Sequence, residues 1–189
     1  MFNERILCAG FGGQGVMSLG QLLAYAGMIE NKHVTWLPSY GPEMRGGTAY
    51  CNVVVSNKPV GSPIVTGNAT CAIVMNLPSL LKFEQSVIPG GMILINCSLT
   101  DQTVSRRDVH AYYIPAGELA KECGNPKAAN MVMLGAYLAL TGTVRVASIS
   151  QAFKKVFGEK GLRFLDLNIL ALQKGADAVL GGEHALEAA

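Results

Sequence analysis

The chain is poor in charge, in histidine and in clustered cysteine, and each shortage removes a class of function. Only 15% of its 189 residues are charged and the net charge is +2. That excess is too small, and apart from the Arg106–Arg107 pair too dispersed, to track a phosphate backbone, so no nucleic-acid partner is expected. No apolar run approaches the roughly 18 residues needed to cross a bilayer, which leaves no expected membrane partner. The five cysteines, Cys8, Cys51, Cys71, Cys97 and Cys123, contain no C-x-x-C pair. Iron–sulfur and structural zinc sites draw on closely spaced cysteines, so no metal site is expected here. Cys8, Cys51, Cys71 and Cys97 fall in strand-like apolar runs and are expected to pack as small hydrophobes, with Cys123, beside Gly124, the more exposed one.

Other catalytic signatures are missing too. His33, His110 and His184 are scattered along the chain. There is no G-x-S-x-G nucleophile elbow and no G-x-x-x-x-G-K-[ST] phosphate loop. No G-D-G…N motif for a thiamine diphosphate metal is present. No catalytic residue is assigned. The N-terminal residues lead straight into a strand-like run rather than a signal peptide, so a cytoplasmic protein is expected.

What the chain does have is apolar mass: half of its residues are hydrophobic, enough for one large core. A single domain over 1–189 is expected, with about 181–189 as a frayed tail. Arg5–Ala9 reads as a buried strand, Val16–Glu30 as a helix with apolar residues near a 3.6 period, and His33–Leu37 as a second strand. This unit predicts an α/β fold in which the first two strands run parallel across a right-handed crossover. Further strands are predicted at Thr48–Ser56, Cys71–Met75, Met92–Asn96 and His110–Ile114, with a short extended segment over Val60–Thr66. Pro89-Gly90-Gly91 reads as a break. Helices are predicted from Ser79 to Ser86 behind Pro78, from Lys127 to Thr141, from a Ser148-x-x-Gln151 capping box to about Phe157, and from Leu162 to Leu180.

Two stretches carry chemical information. Gly10-Phe11-Gly12-Gly13-Gln14-Gly15 matches G-x-G-x-x-G between a strand and a helix. Glycines allow the backbone to turn tightly and approach a phosphate, and the following helix start offers N–H groups. A dinucleotide unit would also carry Asp or Glu at the end of its second strand, whereas this strand ends Thr35-Trp36-Leu37-Pro38. Ligand binding and plain helix–sheet packing therefore both stay open for the loop. The second stretch, Ser39 to Gly47, places Tyr40, Met44 and Arg45, residue types favoured in interfaces, beside Glu43 on a backbone shaped by Gly41, Pro42, Gly46 and Gly47. A docking loop and a solvated loop are both compatible with it.

Taken together, Gly10–Gly15, Tyr40–Gly47 and the Val-rich strand after them resemble the gamma subunit of the 2-oxoacid:ferredoxin oxidoreductases. Gly61-Ser62-Pro63-Ile64-Val65 and Met75-Asn76-Leu77-Pro78-Ser79 are similar to its 2-oxoglutarate/2-oxoisovalerate branch. The resemblance implies a three-layer α/β/α Rossmann-like sandwich with a mostly parallel, or mixed, sheet. It implies a non-catalytic docking subunit of an oxidoreductase, with alpha and beta subunits and a ferredoxin-like subunit or ferredoxin as partners. The complex would use thiamine diphosphate, Mg2+, iron–sulfur clusters and coenzyme A. Within that frame Gly10, Gly12, Gly13, Gln14 and Gly15 become candidates for the phosphate end of coenzyme A. Tyr40, Pro42, Glu43, Met44, Arg45, Gly46 and Gly47 become a candidate interface. A free-standing nucleotide-binding Rossmann-like protein is the alternative, and self-association of the isolated chain is left open.

Overall fold

A computed structural model of the protein describes residues 2–39 and 48–181. Its frame is a six-stranded sheet built from β1 (Asn3–Phe11), β2 (His33–Ser39), β3 (Thr48–Ser56), β4 (Ala69–Val74), β5 (Val87–Asn96) and β6 (His110–Ile114), in the spatial order β2-β3-β1-β4-β5-β6. β1, β4, β5 and β6 are mutually parallel, whereas β3 runs antiparallel to both β1 and β2. The α/β sheet is thus mixed. β1 and β2 point the same way, as the strand–helix–strand pattern predicts, but they are not neighbours, because β3 separates them.

Side chains explain that order. β3 is buried along its last six residues and takes an interior place. β2 carries Pro38, which has no N–H for a ladder, and none of its residues is fully buried, so it forms the edge. Two departures follow the same logic. The Pro89-Gly90-Gly91 run does not break the chain: β5 passes through it, with the register jumping from Ala69–Val87 to Cys71–Met92 and Gly90 at φ 76°. Gly90 N–H instead donates to Asp108 O at 2.6 Å. Residues 60–66 form no strand. They lie across the sheet, with Val65 buried and the Arg5 guanidinium donating to Ile64 O and, at 3.0 Å, to Asn68 Oδ1.

Helices α1 (Val16–Ile29), α3 (Ala116–Glu122), α4 (Ala129–Thr141), α5 (Val146–Gly161) and α6 (Leu165–Leu180) enclose the larger core on one face, around Cys8, Leu23, Val53, Ile73 and the fully buried Tyr137. The other face is covered by α2 (Leu77–Phe83) and loops, over Leu7, Val54, Ala72 and Ile93. The α3 helix is absent from the predicted set. Its seven residues are too few to show a period. Gly158, at φ 66° and ψ −175°, interrupts α5 just past Phe157, where the predicted helix ends.

The capping box at Ser148 is not formed. The helix begins earlier, at Val146, and its start is capped from another element. The Glu30 carboxylate at the end of α1 accepts from Arg145 N at 2.7 Å and from Ser148 Oγ at 2.7 Å, and pairs with Lys32 Nζ at 3.0 Å. Partial burial alone would raise this carboxyl. The hydrogen bonds from Arg145, Ser148 and Lys32 outweigh it and lower its pKa to about 2. The expectation for cysteine exposure is corrected as well. Cys123 is buried at 4% exposure because it closes α3 against the core, while Cys97, in the turn after β5, is only partly buried.

Candidate glycine-loop site

All the parallel strands end at one edge of the sheet, and the glycine loop lies there, between β1 and α1. His33 and His110 open β2 and β6 at the opposite edge, both exposed, and take no part. His184 lies outside the described residues, as do Tyr40, Gly41, Pro42, Glu43, Met44, Arg45, Gly46 and Gly47.

The loop is held from three sides. Gln14 N–H closes a turn onto Phe11 O at 3.1 Å. The Gln14 side chain folds back over it: Oε1 accepts from Phe11 N at 2.6 Å and from Asn76 Nδ2 at 2.8 Å, and Nε2 donates to Met75 O at 3.4 Å. Asn76 sits just after β4, where its Oδ1 also caps α2 by accepting from Ser79 N at 3.0 Å. On the far side Asn130 of α4 donates through Nδ2 to Gly15 O at 3.1 Å. Nothing local to Asn76 or Asn130 in the sequence marks a partner more than 60 residues away.

The glycines divide by this geometry. A Cβ on Gly10 would meet Gln14 Oε1 at 2.7 Å and Met75 Cβ at 2.9 Å, and one on Gly15 would collide with the Asn130 amide. Gly10 is glycine for packing, and Gly15 both for packing and for its φ of 75°. Gly13 differs: it stands at φ 95° with nothing within 4 Å of the position a Cβ would take. Gly12 is likewise exposed. The α1 ladder begins with Leu19 N–H donating to Gly15 O at 3.0 Å, so the N–H groups of Val16, Met17 and Ser18 precede it at the positive end of the helix dipole.

Two clefts flank the loop. One, of about 300 Å³, runs from Gly13 and Gln14 to Asn96, Ser98 and Glu118. The other, of about 430 Å³, runs from Gly15 and Ser18 to Phe157, Arg163 and Phe164. The exposed Lys127 borders both. In the smaller cleft the Ser98 hydroxyl donates to Glu118 and holds that carboxyl below its ordinary range, so Glu118 is an anion there. Lys121 lines the same cleft. Open backbone at a helix start with a lysine beside it suits recognition of an anion. Among the described residues no group of three or more His, Cys, Asp or Glu side chains is placed to hold a metal ion, and no helix is long and apolar enough to cross a membrane.

Known proteins share this architecture. Residues 5–178 match the family described as pyruvate ferredoxin/flavodoxin oxidoreductase. The ketoisovalerate oxidoreductase subunit VorA of Methanothermobacter thermautotrophicus is 42% identical over 92% of this chain, but the chain spans only 36% of that relative's length. The 2-oxoglutarate synthase subunit KorC of Methanocaldococcus jannaschii is 34% identical, with 92% of each chain covered. Among solved structures, the keto/oxoacid ferredoxin oxidoreductase gamma subunit of Geobacter sulfurreducens superposes with a TM-score of 0.80 at 27% identity, covering 95% of this chain and 99% of that one. The 2-oxoglutarate:ferredoxin oxidoreductase of Magnetococcus marinus shares the fold, with a TM-score of 0.86 at 24% identity over 98% of this chain and 32% of its own. With a six-stranded mixed sheet, a strand–glycine loop–helix edge and a family match over nearly its whole length, the chain belongs to the pyruvate ferredoxin/flavodoxin oxidoreductase family.

Proposed function

We propose that this chain is the gamma subunit of a thiamine-diphosphate-dependent 2-oxoacid:ferredoxin oxidoreductase, a docking subunit that carries none of the complex's electron-transferring redox centres. The complex decarboxylates a 2-oxoacid oxidatively, transfers the acyl group to coenzyme A and reduces ferredoxin. The observation that carries this reading is the end-to-end likeness to KorC, where 92% of each chain is covered. We infer a cytoplasmic subunit, one gamma domain over 1–189, with alpha and beta subunits and a ferredoxin-like subunit or ferredoxin as partners.

Thiamine diphosphate, Mg2+ and the iron–sulfur clusters are assigned to those partners. The cysteines of this chain support the division. Cys8, Cys51 and Cys71 lie in the core beneath the helical layer, and a Cβ on Gly20 would already come within 2.5 Å of Cys51 Sγ. That leaves no volume for a cluster. Coenzyme A is the one cofactor this chain's own residues fit. Gly12 and Gly13 offer exposed backbone, Val16 to Ser18 offer N–H groups, and Lys127 adds a cation. When bound, coenzyme A would supply the thiol that accepts the acyl group. The loop's part is to retain a phosphate at its far end. Gln14 struts the loop through Phe11, Asn76 and Met75, and lines the smaller cleft, where its side chain could add one hydrogen bond to the phosphate.

The 40–47 segment is assigned to docking, with Tyr40, Pro42, Glu43, Met44, Arg45, Gly46 and Gly47 as the candidate interface residues. Arg45→Ala is expected to weaken assembly with alpha and beta subunits while leaving the unfolding midpoint of the isolated chain unchanged. Unchanged assembly removes Arg45 from the interface. A lowered midpoint assigns it a structural role instead.

A further inference from the structure

Three of the five cysteines, Cys8, Cys51 and Cys71, are completely buried and share the core beneath the helical layer. Packing alone accounts for each of them singly. Two of them also stand opposite each other. Cys8 of β1 and Cys51 of β3 are direct partners in the antiparallel register. Residues so paired have Cα atoms about 4.5–5.5 Å apart, inside the roughly 4.4–6.8 Å window that a disulfide spans. Cys71 is offset: its partner on β1 is Ile6, and Ile73 stands opposite Cys8.

We propose that Cys8 and Cys51 form a latent cross-strand dithiol–disulfide couple beneath α1. The oxidant is a small-molecule disulfide. A thiolate of the pair attacks one sulfur of that oxidant and releases the first small thiol. The second cysteine then attacks the protein-bound sulfur and releases the second thiol. Two protein S–H bonds and one small-molecule S–S bond are lost, and one protein S–S bond and two small thiols appear, so two electrons pass from the chain to the oxidant.

The surroundings determine which product can persist. Gly20 of α1 lies against the pair, and a Cβ there would fall 2.5 Å from Cys51 Sγ and 3.0 Å from Trp36 Nε1. A mixed disulfide with a bulky thiol cannot be housed in that space. An internal S–S bond adds no atoms and can. The couple also touches the glycine-loop edge, since Cys51 Sγ–H donates to the carbonyl of Val16, the first residue of α1, at 3.5 Å. Oxidation removes that donor. The hydrogen bond with Cys51, and burial after it, raise the Cys8 thiol well above its ordinary range, so in the folded state the exchange waits for α1 to lift.

Refolding avoids that kinetic barrier. The full chain is unfolded with reductant and refolded in glutathione buffers of increasing oxidised fraction. The folded monomer is isolated by gel filtration, and its free thiols are alkylated and counted. The reduced chain carries five thiols; the folded oxidised chain is expected to carry three, with no glutathione attached. After trypsin digestion, fragment 6–32, which holds Cys8, should remain disulfide-linked to fragment 46–82, which holds Cys51 and Cys71. That link should persist in Cys71→Ala and disappear in Cys51→Ala. The proposal is overturned if the folded chain keeps five thiols in the most oxidising buffer, if the oxidised chain does not fold, or if the link survives Cys51→Ala.

Discussion

Asn76 donates its side-chain N–H to Gln14 Oε1 at 2.8 Å and so joins the end of β4 to the glycine loop after β1. The same side chain caps α2 through its oxygen. One residue thereby fixes two features that lie far apart in sequence. Loss of a cap costs about 1 kcal/mol and loss of a buried hydrogen bond about as much again. Asn76→Ala is expected to destabilise the chain by ~2 kcal/mol in urea denaturation. A change near zero means that the loop is held by other groups.

Gly135 of α4 and Gly175 of α6 lie on either side of a helix crossing where backbone meets backbone. A Cβ on Gly135 would collide with Leu172 O, and one on Gly175 with Val132 O. The neighbouring atoms are main chain and cannot swing aside. Alanine at either site is expected to cost ~3 kcal/mol or more, above the gain in helix propensity of about 1 kcal/mol. Equilibrium unfolding measures this, and a stabilised Gly135→Ala variant contradicts the crossing.

Glu30 ties the end of α1 to the start of α5, and its folded pKa of about 2 lies below the ordinary 4.5. A depressed carboxyl stabilises the fold above the unfolded pKa and loses that contribution as pH falls through the folded one. The window is therefore pH 4.5 down to about 2. Discounted for its position near the surface, the contribution is ~1–2 kcal/mol. Glu30→Gln should lower stability at pH 7 and flatten the loss of stability over that window. Parallel curves for the two proteins speak against the tie.

Gly13 is the loop glycine that faces open space. Its φ of 95° makes alanine a backbone strain of about 1–2 kcal/mol rather than a collision. In an assembled complex, Gly13→Ala is expected to raise the apparent KM for coenzyme A several-fold and to leave the 2-oxoacid KM unchanged. Unaltered coenzyme A dependence leaves Gly12 and Gly13 as turn formers only.

The sequence made the local unit legible and left the distant contacts hidden. The strand, glycine loop and helix through Ile29 show their periods and their glycines directly. The insertion of β3 between β1 and β2 does not show, because strand order depends on which strand buries best, and Pro38 gives the edge away only once β3 is seen beside it. The Ser148 capping box failed for a related reason. A carboxylate from Glu30, over 100 residues away, reaches the helix start, and no local motif records it. Gly10 and Gly15 read as phosphate-loop glycines, yet their neighbours Gln14 and Asn130 show that packing suffices for them.

The gamma-subunit assignment is tested most directly by reconstitution. The chain is co-expressed anaerobically with the alpha, beta and ferredoxin-like subunits of the same source, and in parallel the set is expressed without it. The assignment predicts that the chain co-elutes stoichiometrically, and that coenzyme A-dependent reduction of ferredoxin by a 2-oxoacid requires it. A fully active complex that forms without this chain, with the chain eluting alone, would contradict it.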